Sequence, residues 1–129
     1  MKFEHFALNV PDVRSLAQWY VSHLGMKVAR AKPEVPYTTF LADDTGRVII
    51  EVYSNPNVSV PDYNAAHPLC LHIALVCDDP GATLARLVAA GATAGYDETL
   101  PDGSYFVMLR DPWGIPLQLV RRVTAFPGS

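Results

Sequence analysis

HFAL, residues 5–8, returns as HIAL, residues 72–75, and the interval between the two decides how the chain is read (72 − 5 = 67). The first copy sits in KFEHFALNV (2–10), which alternates as a strand. Phe6, Leu8 and Val10 share one face; Phe3, His5, Ala7 and Asn9 share the other. The second copy sits in LCLHIALVC (69–77), again a strand pattern. The same interval separates Asp44 in the turn DDTG (43–46) from Asp111 in the turn DPWG (111–114). It also separates Glu51 from Gln118 (118 − 51 = 67). Three landmarks at one offset predict an internal duplication.

Working outward, each copy reads β-α-β-β-β. After the first strand, Pro11-Asp12 starts a helix whose apolar stripe is Val13, Leu16, Ala17, Tyr20, Val21 and Leu24, closed by Gly25. MKVARAK (26–32), PYTTFLAD (36–43) and RVIIEVYS (47–54) are strands, the last rich in β-branched residues. NPNVSVPDYNAAHP (55–68) is polar, holds three prolines and reads as a connector. In the second copy Asp79-Pro80 is an N-cap followed by proline at the first helical position. Leu84, Leu87 and Val88 form the stripe, and Gly91 ends the helix. ATAGY (92–96), SYFVMLRD (104–111) and IPLQLVRR (115–122) complete the module. The expectation is one α+β domain over 1–129. It comprises module one at about 2–54, the connector at about 55–68 and module two at about 69–122. The modules form a cupped mixed sheet with helices on its outer face.

With 129 residues, 50% of them hydrophobic and 18% charged, the chain can build a real core and is not a disordered one. No apolar run approaches the roughly 20 residues of a membrane helix. Glu4 and His5 interrupt the N-terminal stretch before the apolar region of a signal peptide can form. A net charge of −3 without a basic stripe points away from nucleic acid. Cys70 and Cys77 fit neither a zinc knuckle nor a C-x-x-C pair, and read as free thiols in a reducing cytoplasm.

Glu51 lies inside a strand with aliphatic residues on both faces, and a buried carboxylate needs a partner. Arg30, Arg47 and Arg110 could each supply one. The duplication suggests another answer. Modules related by a pseudo-two-fold axis bring equivalent residues face to face, here His5 with His72 and Glu51 with Gln118. All four side chains can coordinate a metal, and two imidazoles, a carboxylate and an amide oxygen suit Fe(II), Mn(II), Ni(II), Co(II) or Zn(II). Each residue also has a plain structural reading, such as a hydrogen-bonded histidine, but one offset generates all four. His23 and His67 keep the plain reading. By strand parity Phe40, Val107 and Leu109 face the helices, while Tyr37, Thr39, Phe106 and Met108 share the face of the four polar residues.

HFALNVPDVRSLAQWYVSHLGMKV, VIIEVY, LHIALVCDD and LRDPWGIPLQLV together resemble the vicinal oxygen chelate superfamily over about residues 2–122. That group includes glyoxalase I, extradiol dioxygenases, methylmalonyl-CoA epimerase, and fosfomycin and bleomycin resistance proteins. The resemblance implies paired βαβββ modules forming a cup, one divalent metal inside it, and a homodimer. It places ligands on the first and last strand of each module: His5, Glu51, His72 and Gln118. Glyoxalase I has glutamate where Gln118 stands, and a glutamine cannot take up a proton at neutral pH. Exchanging the modules gives His-Gln-His-Glu, similar to the epimerase, and omitting Gln118 leaves the two-His, one-carboxylate set of the dioxygenases and fosfomycin transferases.

The leading expectation is therefore a metal-dependent lyase, isomerase or dioxygenase, acting on a small substrate that chelates through neighbouring oxygens. Glu51 is the candidate base, and Tyr37, Thr39, Tyr53, Phe106 and Met108 are the candidate substrate lining. The alternative is a metal-free protein of the same fold that sequesters a planar drug. A domain with a vestigial site is a third reading. No nucleic-acid or membrane partner is expected, and the location expected is the cytoplasm.

Overall fold

The computed structural model describes residues 1–127. The chain divides into two compact units, Met1–Pro61 and Asp62–Ser129. The connector of the sequence reading is thus shared: its first part belongs with the first unit, and everything from Asp62 belongs with the second. Each unit is a βαβββ module with one helix and an open four-stranded mixed sheet.

The first unit runs β1 (Phe6–Asn9), α1 (Val13–Leu24), β2 (Lys27–Ala31), β3 (Thr39–Ala42) and β4 (Val48–Tyr53), with sheet order β1-β4-β3-β2. β1 lies parallel to β4 and the other pairs are antiparallel. Asp12 starts α1 by accepting the Ser15 N–H at 3.1 Å, and Gly25 ends it at φ 73°, a left-handed conformation that suits glycine. The helix buries Val13, Leu16, Ala17 and Tyr20, and contacts β2, β3 and β4. The facing side of the sheet supplies Leu8, Leu41, Ile50 and Val52, all buried. Each such side chain contributes about 1.5–3 kcal/mol by leaving water.

The second unit repeats the plan with β5 (Ile73–Val76), α2 (Pro80–Ala89), β6 (Thr93–Thr99), β7 (Tyr105–Arg110) and β8 (Pro116–Arg121), in order β5-β8-β7-β6. Asp79 caps α2 through the Ala82 N–H at 2.9 Å. Leu87 of α2 is fully buried, and Val107, Leu109, Leu117 and Leu119 form the buried face of the sheet.

The duplication is visible atom by atom. Ala7 pairs with Glu51 as Ala74 pairs with Gln118. Val10 donates to the Tyr53 carbonyl as Cys77 donates to that of Val120. The helix caps Asp12 and Asp79 keep the same interval of 67 (79 − 12 = 67).

The turns do not. In DDTG, Asp43 N bonds Arg47 O and Gly46 N bonds Asp43 O; in DPWG, Asp111 N bonds Ile115 O and Gly114 N bonds Asp111 O. The equivalent of Asp111 is therefore Asp43 and not Asp44 (111 − 43 = 68). The first unit absorbs the difference in a β-bulge. Leu41 pairs with Ile50 but Ala42 pairs with Val48, so Ile49 is the extra residue. This overturns the parity reading of the third strand. Phe40, not Thr39, pairs with Glu51 as Met108 pairs with Gln118.

The strands carrying the histidines are also shorter than their sequence pattern. β1 begins at Phe6 and β5 at Ile73, leaving His5 and His72 one residue before their strands. Their neighbours explain it. The β1 pairing stops at Ile50, next to the bulge, and β5 pairing stops at Leu117, next to Pro116, which has no N–H to give. No helix among the described residues is long and apolar enough to cross a membrane.

Candidate metal and substrate site

The first unit answers the question of Glu51. Its Oε2 stands 3.0 Å from His5 Nε2. Two of the arginines that sequence offered are used elsewhere: Arg47 reaches the Phe3 carbonyl, and Arg110 binds carbonyls in the second unit. The pair is produced by register. Ala7 lies opposite Glu51, and His5, two residues earlier, extends along the same face. Phe40 lies opposite Glu51 on its other side and meets the His5 ring edge-on, with centroids 5.5 Å apart. Glu4 faces the other ring nitrogen of His5. Tyr53, two residues beyond Glu51, falls on the same face.

Two of the expected lining residues are elsewhere. Thr39 pairs with Val52, so it points to the helix side, where it is 5% exposed and donates to the Tyr37 carbonyl at 3.0 Å. Tyr37 has φ 60° and lies under the guanidinium of Arg14 of α1, 4.6 Å from its ring centre. The displacement of Thr39 follows from the bulge at Ile49, which shifts β3 by one residue against the turn-based alignment.

In the second unit Gln118 lies between Ala74 and Met108, and its amide donates to the Met108 sulfur at 3.5 Å. Phe106 and Met108 occupy the expected face and cluster with Val120. His72 precedes Ala74 by two residues, and its Nδ1 is 2.7 Å from the Pro68 carbonyl. A carbonyl can only accept, so that contact places a hydrogen on Nδ1, and in the neutral ring the lone pair then lies on Nε2. A cleft of about 80 Å³ runs beside these strands, bordered by Pro68, Gly95, Tyr96, Met108 and Arg110. Sequence reasoning missed three residues of these faces: Phe40, Tyr96 and Glu98. Tyr96 stacks edge-on against Phe106 with centroids 6.2 Å apart, and Glu98 pairs with Phe106 across β6 and β7.

The donor types would suit a divalent ion: an imidazole nitrogen and a carboxylate oxygen, His5 Nε2 and Glu51 Oε2, stand 3.0 Å apart. The Pro68 carbonyl at His72 Nδ1 is the kind of partner that orients a ligating imidazole. Among the described residues no three His, Cys, Asp or Glu side chains converge on one point.

Residues 2–119 match the family model of the Glyoxalase/Bleomycin resistance protein/Dioxygenase superfamily. No curated protein matches the sequence. Among solved structures, the trypanothione-dependent glyoxalase I of Leishmania major is 23% identical with a TM-score of 0.73, over 94% of this chain and 86% of that one. TnmS3, an antibiotic binding protein from Streptomyces sp. CB03234, is 22% identical with a TM-score of 0.68, over 92% and 93%. A glyoxalase-related enzyme from Fulvimarina pelagi is 19% identical with a TM-score of 0.69, over 93% and 87%.

Proposed function

This chain belongs to the glyoxalase/bleomycin resistance protein/dioxygenase superfamily, and from that premise we propose that it is a divalent-metal-dependent enzyme acting on a small substrate with neighbouring oxygens. The observation that carries the reading is the pair His5 Nε2 and Glu51 Oε2, 3.0 Å apart on a partly exposed sheet face. His72 and Gln118 hold the equivalent positions of the second module and are the remaining candidate ligands. Bound there, an ion such as Fe, Mn, Ni, Co or Zn would polarise a substrate oxygen as a Lewis acid.

The chain's own residues supply the rest. Glu51 is the anionic member of the set and the group able to take a proton from a substrate carbon or hydroxyl. His5 Nε2 lies beside that carboxylate, 3.0 Å from Oε2. Gln118 offers an amide oxygen and no proton exchange. Tyr53 and Phe40 in one module, and Tyr96 backed by the buried Phe106 and Met108 in the other, give an aromatic and thioether lining suited to an organic substrate of low charge. Thr39 and Tyr37 take no part in that surface. The open edges of both sheets favour a homodimer as the working form.

A second reading has its own observation. Tyr96, 43% exposed and braced by Phe106, is a ready platform for a planar molecule. The likeness to an antibiotic binding protein agrees with sequestration.

Glu51→Gln separates the two. Metal-loaded wild type and variant are assayed with hemithioacetals, catechols and acyl-CoA esters, and their metal content is measured alongside. The enzymatic reading expects turnover in wild type, and a larger loss of turnover than of metal in Glu51→Gln. Full activity in the variant removes Glu51 from the chemistry.

A further inference from the structure

The DPWG turn does more than reverse the chain. Arg110, the residue before it, sends Nη1 to the carbonyls of Tyr63 at 2.8 Å and Gly114 at 3.0 Å, and Nη2 to that of Ala66 at 2.7 Å. Its guanidinium thus ties the Asp62–Ala66 segment to the β7–β8 turn. The segment also lies hard against that turn: a Cβ on Gly114 would sit 2.5 Å from Asn64 Cγ. From the tethered end the chain advances through consecutive tight turns. Ala66 N bonds Tyr63 O, Leu69 N bonds His67 Nδ1, and Cys70 N bonds His67 O. Pro68 lies within this run, and its carbonyl holds His72 Nδ1 at 2.7 Å.

The first module has no counterpart. The residue equivalent to Arg110 is Ala42, before DDTG, and His5 is instead flanked by two carboxylates, Glu4 and Glu51. The clasp is therefore not required by the βαβββ plan. It appears in the module whose histidine has a backbone carbonyl as its anchor.

We infer that Arg110 is a positioning residue for His72. By fixing the Tyr63 and Ala66 carbonyls on the DPWG turn, it holds the Pro68 carbonyl where it accepts the Nδ1 hydrogen, and so presents Nε2 with its lone pair. The inference rests on the metal-site reading for its purpose but not for its test. A guanidinium can serve several carbonyls in one plane, whereas an ammonium is a compact point donor on a flexible stem. Arg110→Lys therefore loosens the clasp without removing the charge.

The test reads the His72 tautomer from imidazole ¹⁵N shifts in the metal-free protein, at a pH where the ring is neutral. Wild type is expected to show hydrogen on Nδ1 alone. Arg110→Lys is expected to show a mixture with the Nε2-protonated form, with the His5 signals unchanged. Gly114→Ala, which pushes Asn64 off the turn, is expected to do the same and serves if the arginine variant fails to fold. A separate Ni(II) titration is expected to weaken by about 10–100-fold in either variant, the range for loss of an outer partner of a ligating histidine. A single Nδ1 tautomer in both folded variants overturns the inference. Absence of Ni(II) binding by wild type overturns the metal-site reading instead, and leaves the tautomer result to stand by itself.

Discussion

Asp43 and Asp111 occupy the same place in the same turn, and the account predicts very different consequences for removing them. Asp111 is 2% exposed, and its Oδ1 accepts the N–H groups of Trp113 and Ile115, both at 2.9 Å. Asp43 accepts the Thr45 N–H at 3.0 Å and the Thr45 hydroxyl at 2.6 Å, both at the surface. Asp111→Ala strands two donors, the Ile115 amide fully buried, and a buried donor without a partner costs about 1–3 kcal/mol. The expected loss is about 2–4 kcal/mol, a large share of the stability of a domain this size. Asp43→Ala leaves its donors to water and should lose about 0.5–1 kcal/mol. Asp111→Asn keeps an amide oxygen where both bonds converge but drops the charge, and should fall between the two, because charge-assisted bonds are about twice as strong as neutral ones. Urea unfolding of the three variants checks this, with the slope m unchanged. Equal losses for Asp43→Ala and Asp111→Ala would refute the argument that burial, and not the turn itself, sets the cost.

At the start of α1, the Ser15 hydroxyl and N–H bonds hold the Asp12 carboxyl below its usual value near 3.8. A depressed folded pKa means stability that is present above the unfolded value and lost as pH falls through the folded one. Asp12→Ala should therefore cost about 1 kcal/mol near neutral pH, and the gap to wild type should close in acid; a gap that persists at low pH contradicts the cap assignment. In the second unit, a Cβ on Gly95 would meet the Met108 carbonyl oxygen at 2.7 Å, a backbone atom that cannot swing aside. Gly95→Ala should destabilise by about 1–3 kcal/mol, which thermal unfolding would reveal, and a neutral result would mean that β6 moves freely off β7.

Much of the fold was legible because local signals and the repeat agreed. Asp12 and Asp79 cap their helices where the sequence places them, and the Ala7–Glu51 and Ala74–Gln118 registers follow from one offset. The third strand misled because Asp44 stands 67 residues before Asp111 while the working turn residue is Asp43. The signal was available. DDTG and DPWG align end to end at 68, so one extra residue had to fall between Gly46 and Glu51, and it is Ile49. That single bulge moved Phe40 onto the face of Glu51 and Thr39 off it. Tyr96 was hidden for a similar reason: β6 also shifts register between Ala94 and Asp97, so its alternation does not read as one strand. The anchor of His72 could not be read at all, because a backbone carbonyl carries no sequence signature.

The central proposal is that His5, Glu51, His72 and Gln118 are metal ligands, and metal stoichiometry tests it most directly. Wild type, His5→Ala and His72→Ala are purified without chelator, and their bound divalent metal and Ni(II) affinity are measured side by side. The account predicts about one ion per chain in wild type. It predicts a loss of affinity in each variant beyond the about 10–100-fold that an outer partner would cost. Wild type and both variants binding metal equally, or none of them binding it, would contradict the claim.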